Sequence, residues 1–323
     1  MLDQNFSIFP HVAILLCAYD GEDFIIDQLD SIFAQNYVNI SLWVSVDLDP
    51  SNQDHRKFYQ KLIEYQKVKT KNSTNLIKMT LVVGPGKGCN HNFLSLVCNQ
   101  DIQADYFAYA DQDDIWAPDK ICRSVAALND LPKDVPNLFC SRTLLINEEG
   151  KHIGFSPLFK KRPSFANALV QNIAGGNTML FNKATRDVLK KIGNIEVVCH
   201  DWWTYLVVSA LGGIVLYDSI PTLKYRQHHK NMIGANYGWL ARLFRVSLML
   251  KGKVKKCNDV NIRALENIKH QMPLNNLNIL NKFSQSRKYL IFNRVFGIYS
   301  SGVYRQTFIE TLGLWAAVFL KKI

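Results

Sequence analysis

A mixed α/β fold, with a mostly parallel central sheet flanked by helices, is the architecture this sequence predicts, and three observations predict it. Apolar runs of strand length alternate four times with helical stretches between residues 11 and 146. Each connection has crossover length, the pattern of parallel strands with helices on both faces. Several of the runs end in acidic or polar clusters, which is where open α/β sheets bind ligands.

Taken in order, 11–18 reads as a buried strand followed by a Tyr19-Asp20-Gly21 turn. Phe24, Ile25, Leu29, Ile32 and Phe33 then recur at helical spacing, with Asp20 or Asp23 available as a cap. A second strand over 40–46 ends in the turn-rich stretch Asp47-Leu48-Asp49-Pro50-Ser51-Asn52. An exposed amphipathic helix is expected over 54–68 and a third strand over 79–83. Gly84-Pro85-Gly86-Lys87-Gly88 follows it, and a helix over about 90–99 comes next. A fourth strand over 106–110 delivers Asp111, Asp113 and Asp114. Pro118 opens a further helix, and 138–146 reads as one more strand. Beyond residue 150 the alternation loosens. It leaves a Gly175-Gly176-Asn177-Thr178 segment, the cluster His200-Asp201-Trp202-Trp203 and a strand-like 213–216.

The bulk composition is that of a globular protein, 48% hydrophobic and 20% charged over 323 residues. The seven cysteines form no C-x-x-C pair, and several lie in apolar runs, which suits buried free thiols in a reducing compartment. Met1 to Pro10 is acidic and has no basic n-region, so no cleavable signal is expected. No window is long and apolar enough for a membrane span. The net charge of +11 is unevenly placed: residues 236–323 hold 15 Lys/Arg and 3 Asp/Glu. The expected division is therefore a nearly neutral module over 1–235 and a basic, helical region over 236–323.

Three carboxylates within four residues at the end of a buried strand repel one another or share a hard cation, such as Mn²⁺ or Mg²⁺, that would in turn hold phosphate. The competing reading is a solvated turn with Asp114 capping the next helix. Tyr19 and Asp47 leave neighbouring strands at the same edge and could meet a nucleobase and a ribose, or serve as ordinary turn residues. The glycine-rich loop has neither P-loop nor dinucleotide spacing. Asp201 beside two indoles is placed to act as a base, with the rings stacking on sugar; alternatively it caps a helix ahead of core residues. In the donor-rich Tyr225-Arg226-Gln227-His228-His229-Lys230-Asn231, His228 could ligate the cation and Arg226 or Lys230 neutralise a diphosphate, unless this is a solvated basic loop.

In this order and spacing, Cys17-Ala18-Tyr19-Asp20-Gly21-Glu22, Gln28 to Ile32 with Gln35, Val46-Asp47-Leu48, Asp111-Gln112-Asp113-Asp114-Ile115-Trp116 with Pro118-Asp119-Lys120, His200-Asp201-Trp202-Trp203 and Tyr225-Arg226-Gln227-His228 form a recognisable set. Over residues 10–235 the chain resembles the family-2 glycosyltransferases of the GT-A fold, most closely the bacterial rhamnosyltransferase-like enzymes of O-antigen and capsule synthesis. The resemblance implies an inverting, metal-dependent transfer from dTDP-rhamnose or a UDP-hexose to a lipid-linked oligosaccharide. It implies Asp201 as the catalytic base. Ala18, Tyr19, Glu22, Asp47, Asn92, Asp111, Gln112 and Arg226 would lie on the donor side. His200, Trp202 and Trp203 would meet the acceptor, and Asp111, Asp113 and His228 would hold the metal. The Q-x-x-R-W signature of processive synthases is absent, which implies one sugar per encounter. Other classes of function compatible with these residues are a membrane-surface protein that binds sugar or nucleotide without catalysis and a metal-dependent phosphohydrolase.

The basic region mixes Trp239, Leu240, Leu243, Phe244, Leu248 and Leu250 with Arg242, Arg245, Lys251, Lys253, Lys255 and Lys256. That pattern suits an amphipathic segment on an anionic membrane, with 309–320 as a second candidate, or a helical subdomain packed on the catalytic module. A peripheral position on the inner face of a bacterial cell membrane is the expected location. No nucleic-acid-binding module is recognisable.

Overall fold

The structure, a computed structural model of the 323-residue chain, describes residues 9–49, 51–72, 77–228, 247, 249 and 251–323. Its strands are β1 (Val12–Ala18), β2 (Ile40–Val46), β3 (Lys78–Val83), β4 (Tyr106–Ala110), β5 (Ile115–Trp116), β6 (Asn137–Ser141), β7 (Leu144–Ile146), β8 (His152–Phe155), β9 (Leu180–Asn182), β10 (Ile214–Asp218) and β11 (Leu223–Arg226). Seven of them form the central sheet in the order β10-β6-β9-β4-β1-β2-β3. All neighbours in it are parallel except β9, which runs antiparallel to both β4 and β6. The helices of the catalytic half are α1 (Ile25–Phe33), α2 (Gln53–Asn72), α3 (Cys89–Cys98), α4 (Lys120–Asn129), the short α5 (Phe165–Ala168), α6 (Lys183–Ile192) and α7 (His200–Ala210).

β1 is apolar at every position because it is covered on both faces. Ala13, Leu15 and Cys17 join one apolar cluster with α3 and α7, whereas Val12, Ile14, Leu16 and Ala18 join a second with α1 and α4. Alternation along a strand thus divides the core into two layers, the condition under which a parallel sheet is stable.

The expected single strand over 138–146 is two strands in two sheets. After Ser141 the Arg142 amide still donates to Asp218 O at 2.8 Å, but the next amide, of Thr143, donates to Ser156 Oγ at 2.9 Å. The polar Ser141-Arg142-Thr143 interrupts the apolar run there, and the chain turns into a four-stranded sheet of order β5-β11-β7-β8. This small sheet pairs β11 with β5 and so brings 223–228 against the loop that carries Asp113 and Asp114.

The C-terminal helices are α8 (Lys253–Leu265), α9 (Leu274–Ser286), α10 (Ile291–Ser300) and α11 (Phe308–Phe319). Leu265, Ile268, Phe283 and Leu314 belong to the same apolar cluster as Val197 and Leu206 of the catalytic half. Asn276 Nδ2 donates to the carbonyls of Ser209 and Ala210, each at 3.0 Å, and satisfies the end of α7. Residues 251–323 therefore pack on the catalytic module in the manner of a helical subdomain. The apolar positions of the amphipathic segment expected from Trp239 to Leu250 lie outside the described residues, as do His229, Lys230 and Asn231.

Candidate active site

The strand ends converge as expected. β1 and β2 run in register to Ala18 and Val46, and the Asp47 amide carries the ladder on to Ala18 O at 3.0 Å. Leu16 is level with Ala110, so Tyr19, Asp47 and Asp111 emerge at one edge of the sheet.

On the β1 side, Tyr19 is 57% exposed and its ring lies edge-on to His55, with centroids 5.4 Å apart. His55 Nδ1 accepts from the Asp49 amide at 2.9 Å, which leaves the hydrogen on Nε2 to donate to Asp20 at 3.0 Å. Asp20 itself is in the left-handed region (φ 49°), a conformation that a short polar side chain tolerates. Gln112 fixes the backbone of Tyr19 from the opposite side: its Oε1 accepts from Tyr19 N at 2.8 Å and its Nε2 donates to Tyr19 O at 2.7 Å. A Cβ at position 21 would meet Gln112 Oε1 at 2.2 Å, so glycine there leaves room for this side chain to close on Tyr19. Ala18 is buried and offers only its backbone, while Glu22 is exposed.

Asp47 is buried and gathers the glycine-rich loop, its two oxygens accepting from the amides of Gly86 and Gly88 at 3.0 and 3.1 Å. Asn92, expected on the donor side, lies beneath this loop and bonds to the Ser45 hydroxyl and carbonyl. It is buried under Gly84, where a Cβ would come within 2.8 Å of its Oδ1, and does not line the surface.

Asp111 and Asp113 follow β4. Desolvation pushes the Asp111 carboxyl up to about 8, with the charges of Asp113 and Asp201 adding to it. Asp113 meets His228 Nε2 at 2.7 Å, the pair expected to share a metal. Arg226 is buried beneath them. Its Nε donates to Asp113 O at 3.1 Å, Nη1 to Glu148 O at 2.7 Å and Nη2 to Asp27 at 2.9 Å, while its carbon lies 4.5 Å over the Phe24 ring. The guanidinium that was expected to face a diphosphate therefore holds the Asp113 loop in place. Asp114 is fully buried, accepting from Asn177 Nδ2 at 2.6 Å and from the Arg226 amide at 3.3 Å. It ties β4, β11 and the 175–178 turn together and does not reach the carboxylate pair's surface.

Asp201 stands in the first turn of α7, where the helix N-terminus favours negative charge. Its Oδ2 accepts from the Gly176 amide at 3.1 Å and its Oδ1 from the Trp202 amide at 2.6 Å. The neighbouring residues correct the expectation for this cluster. Trp203 is 0% exposed and belongs to the core, because α7 turns positions 203, 206, 207 and 210 inward. His200 is buried, stacked on Phe93 at 3.9 Å and edge-on to Tyr109, and burial pushes its imidazole down to about 4. Both side chains are therefore packed into the core and not open at the surface. Trp202 is half-buried and is held by its Nε1 donating to Ala168 O at 2.7 Å.

Several contributors have no local signature. His55 is one polar residue on an exposed helix, and Asp27 and Phe24 belong to α1, far in sequence from Arg226. Gly176 and Asn177 stood out as a polar turn, yet only the fold brings them to Asp201 and Asp114.

No family model matches the chain. In sequence it is 28% identical, over 248 residues, to a dTDP-rhamnosyl transferase of Shigella flexneri, RfbG; the match covers 72% of this chain and 78% of the relative. In structure it resembles a mannosyltransferase of Pyrobaculum calidifontis solved with GDP-Man and Mn²⁺, at a TM-score of 0.50 and 14% identity over 97% of this chain and 86% of that one. The chain is a glycosyltransferase of the GT-A fold. A second GT-A neighbour is S. aureus TarS in complex with UDP-GlcNAc, at a TM-score of 0.50 and 13% identity over 91% of this chain and 93% of the other.

Proposed function

We propose that this glycosyltransferase is an inverting, divalent-metal-dependent enzyme that moves rhamnose or a hexose from a dTDP- or UDP-linked donor to a lipid-linked oligosaccharide at a membrane surface. The observation that carries the reading is that Asp111 and Asp113 leave β4 beside the strand ends of Tyr19 and Asp47, within reach of the charge of Asp201 from the distant α7. Carboxylates so placed serve the two halves of a sugar transfer. Asp113, with Asp111 and His228, faces the leaving diphosphate, and Asp201 faces the acceptor.

The residues fit a cation. Asp111 carries a raised carboxyl among like charges, and His228 sets an imidazole nitrogen 2.7 Å from Asp113. Among the described residues no three ligating side chains stand together as a metal site, so the fit rests on Asp111 and the Asp113–His228 pair. When bound, Mn²⁺ or Mg²⁺ would supply positive charge at the departing diphosphate. A structural neighbour solved with GDP-Man and Mn²⁺ supports a nucleotide-diphosphate sugar and a divalent metal, and the dTDP-rhamnosyl transferase relative supports a dTDP-linked donor.

On the acceptor side the Gly176 and Trp202 amides orient Asp201 and leave lone pairs for a hydroxyl. Asp201 takes the proton of that hydroxyl as its oxygen bonds to the anomeric carbon. The bond from that carbon to the diphosphate oxygen breaks on the opposite face, so configuration inverts. Tyr19 offers an exposed ring face to the base, and the Asp47 loop borders the ribose.

The deciding experiment is Asp201→Asn. Transfer should fall by about 10²- to 10⁴-fold, the usual contribution of a positioned base, while calorimetric affinity for the nucleotide with Mn²⁺ stays within about twofold. Turnover at the wild-type rate would remove Asp201 as base. Wild-type chain that binds nucleotide but transfers sugar to no acceptor would instead be a binding protein.

A further inference from the structure

Helix α10 buries Arg294 and Ile298 and crosses α9 closely at Gly297, where a Cβ would come within 2.0 Å of the Ser286 hydroxyl. That crossing turns the opposite face outward: Phe292 is 87% exposed, Phe296 74% and Tyr299 72%, at the i, i+4, i+7 spacing of one helical stripe. Helix α11 repeats the arrangement. Leu314, Ala317 and Val318 enter the core, while Phe308, Leu312 and Phe319 remain exposed. The rings of Tyr299 and Trp315 lie 6.5 Å apart and join the two stripes into one apolar face. A contiguous face of this kind marks an interaction surface.

The surrounding charge selects the occupant. Residues 251–323 hold 13 Lys/Arg and 3 Asp/Glu. All three acids are engaged: Asp259 with Arg287, Glu266 with Lys269, and Glu310 with Gln171 and Thr307. Exposed Lys288 and Lys321 stand at the ends of the apolar stripes. An aromatic face rimmed by cations matches an anionic bilayer, where rings enter the headgroup region and amines meet lipid phosphates. A second copy would bring the same positive charge against it. Among the described residues no helix is long and apolar enough to cross a membrane, so such a face would lie on the bilayer.

We propose that the joined outer faces of α10 and α11 are the surface by which this chain docks on an anionic lipid bilayer, with Phe292, Phe296 and Leu312 inserted and Lys288 and Lys321 at the lipid phosphates. This rests on the reading of sugar transfer at a membrane, and it assigns that contact to α10 and α11.

Flotation of the full chain with phosphatidylglycerol-containing vesicles and with pure phosphatidylcholine vesicles tests it. Wild type should float with the anionic vesicles, less so at high salt. Phe292→Ser/Phe296→Ser and Lys288→Glu/Lys321→Glu should each lower partitioning by about tenfold or more with unchanged melting temperature. Wild type that stays at the bottom of the gradient, or variants that float as it does, would overturn the proposal. So would a concentration-dependent dimer that Phe292→Ser/Phe296→Ser dissolves without any flotation, which would assign the face to a second copy. Calorimetric nucleotide-sugar binding on the same preparations separates the two readings: wild type that floats yet binds no donor would sink the sugar transfer and leave the docking face standing.

Discussion

Single buried residues in this chain carry consequences that pH exposes. Lys120 is fully buried, 4.6 Å over the Trp116 ring, and its Nζ has no hydrogen-bond partner among the described residues. Burial pushes its ammonium down to about 7, with the charge of Asp114 opposing. A depressed folded value means that the unfolded chain binds the proton more tightly. Stability from this group is therefore full above the ordinary lysine range near ~10.4 and is lost as pH falls through about 7. Lys120→Met should stabilise the protein at about pH 7 by on the order of a few kcal/mol, and the gain should shrink by about pH 9.5. Urea melts at the two pH values measure this, and parallel shifts at both would refute it. His200 gives the acid counterpart. Its folded value of about 4 lies below the unfolded value of ~6.5, so its contribution is complete above ~6.5 and is lost as pH falls through about 4. His200→Leu should flatten the stability profile between those limits by about 3 kcal/mol. An unchanged profile in denaturant titrations would mean that the imidazole titrates freely.

At the scale of elements, close backbone approaches set the site. The loop after β1 is held by Gln112 against Gly21. Gly21→Ala should displace that amide and weaken calorimetric nucleotide affinity by about tenfold or more, with little change in melting temperature. Affinity equal to wild type would show that the Tyr19 loop does not hold the donor. The α9–α10 crossing offers a second case. Gly297→Ala should cost about 1–3 kcal/mol, the usual range for overpacking, and Ser286→Gly in the same chain should restore most of it. Losses that simply add would mean that the crossing does not depend on the space between these two residues. The strands were legible in the sequence because parallel strands buried on both faces are apolar throughout. The break of 138–146 into β6 and β7 had a local sign, the Ser141-Arg142-Thr143 interruption, that an apolar count smooths over. The antiparallel β9 had no clear one, since Leu180, Phe181 and Asn182 are too few to show a period.

Across the whole molecule, 251–323 is part of the catalytic fold's core. Phe283, Leu265 and Leu314 share a cluster with Leu206, and Asn276 satisfies the end of α7. A chain ending at residue 250 should therefore fail to give a cooperative melt and should expose dye-binding apolar surface, even though it retains every proposed catalytic residue. A truncated chain that melts cooperatively and binds nucleotide would show that the helices are dispensable.

Asp111, Asp113, Tyr19 and Asp47 could be read from the sequence because each follows its strand by one to three residues, and parallel strands end at a common edge. The roles of Arg226, Asn92, His200 and Trp203 could not, since each depends on which face of its element the packing turns inward. The sequence by itself determined the alternation of elements, the acidic strand end and the basic C-terminal region, all of them patterns within a few turns of chain. Only the tertiary structure decided that Asp201 accepts from the Gly176 amide, that Arg226 braces Asp113, and that α10 and α11 leave an aromatic face uncovered. Those outcomes depend on contacts between segments far apart in the chain, and residue spacing along it carries no record of them.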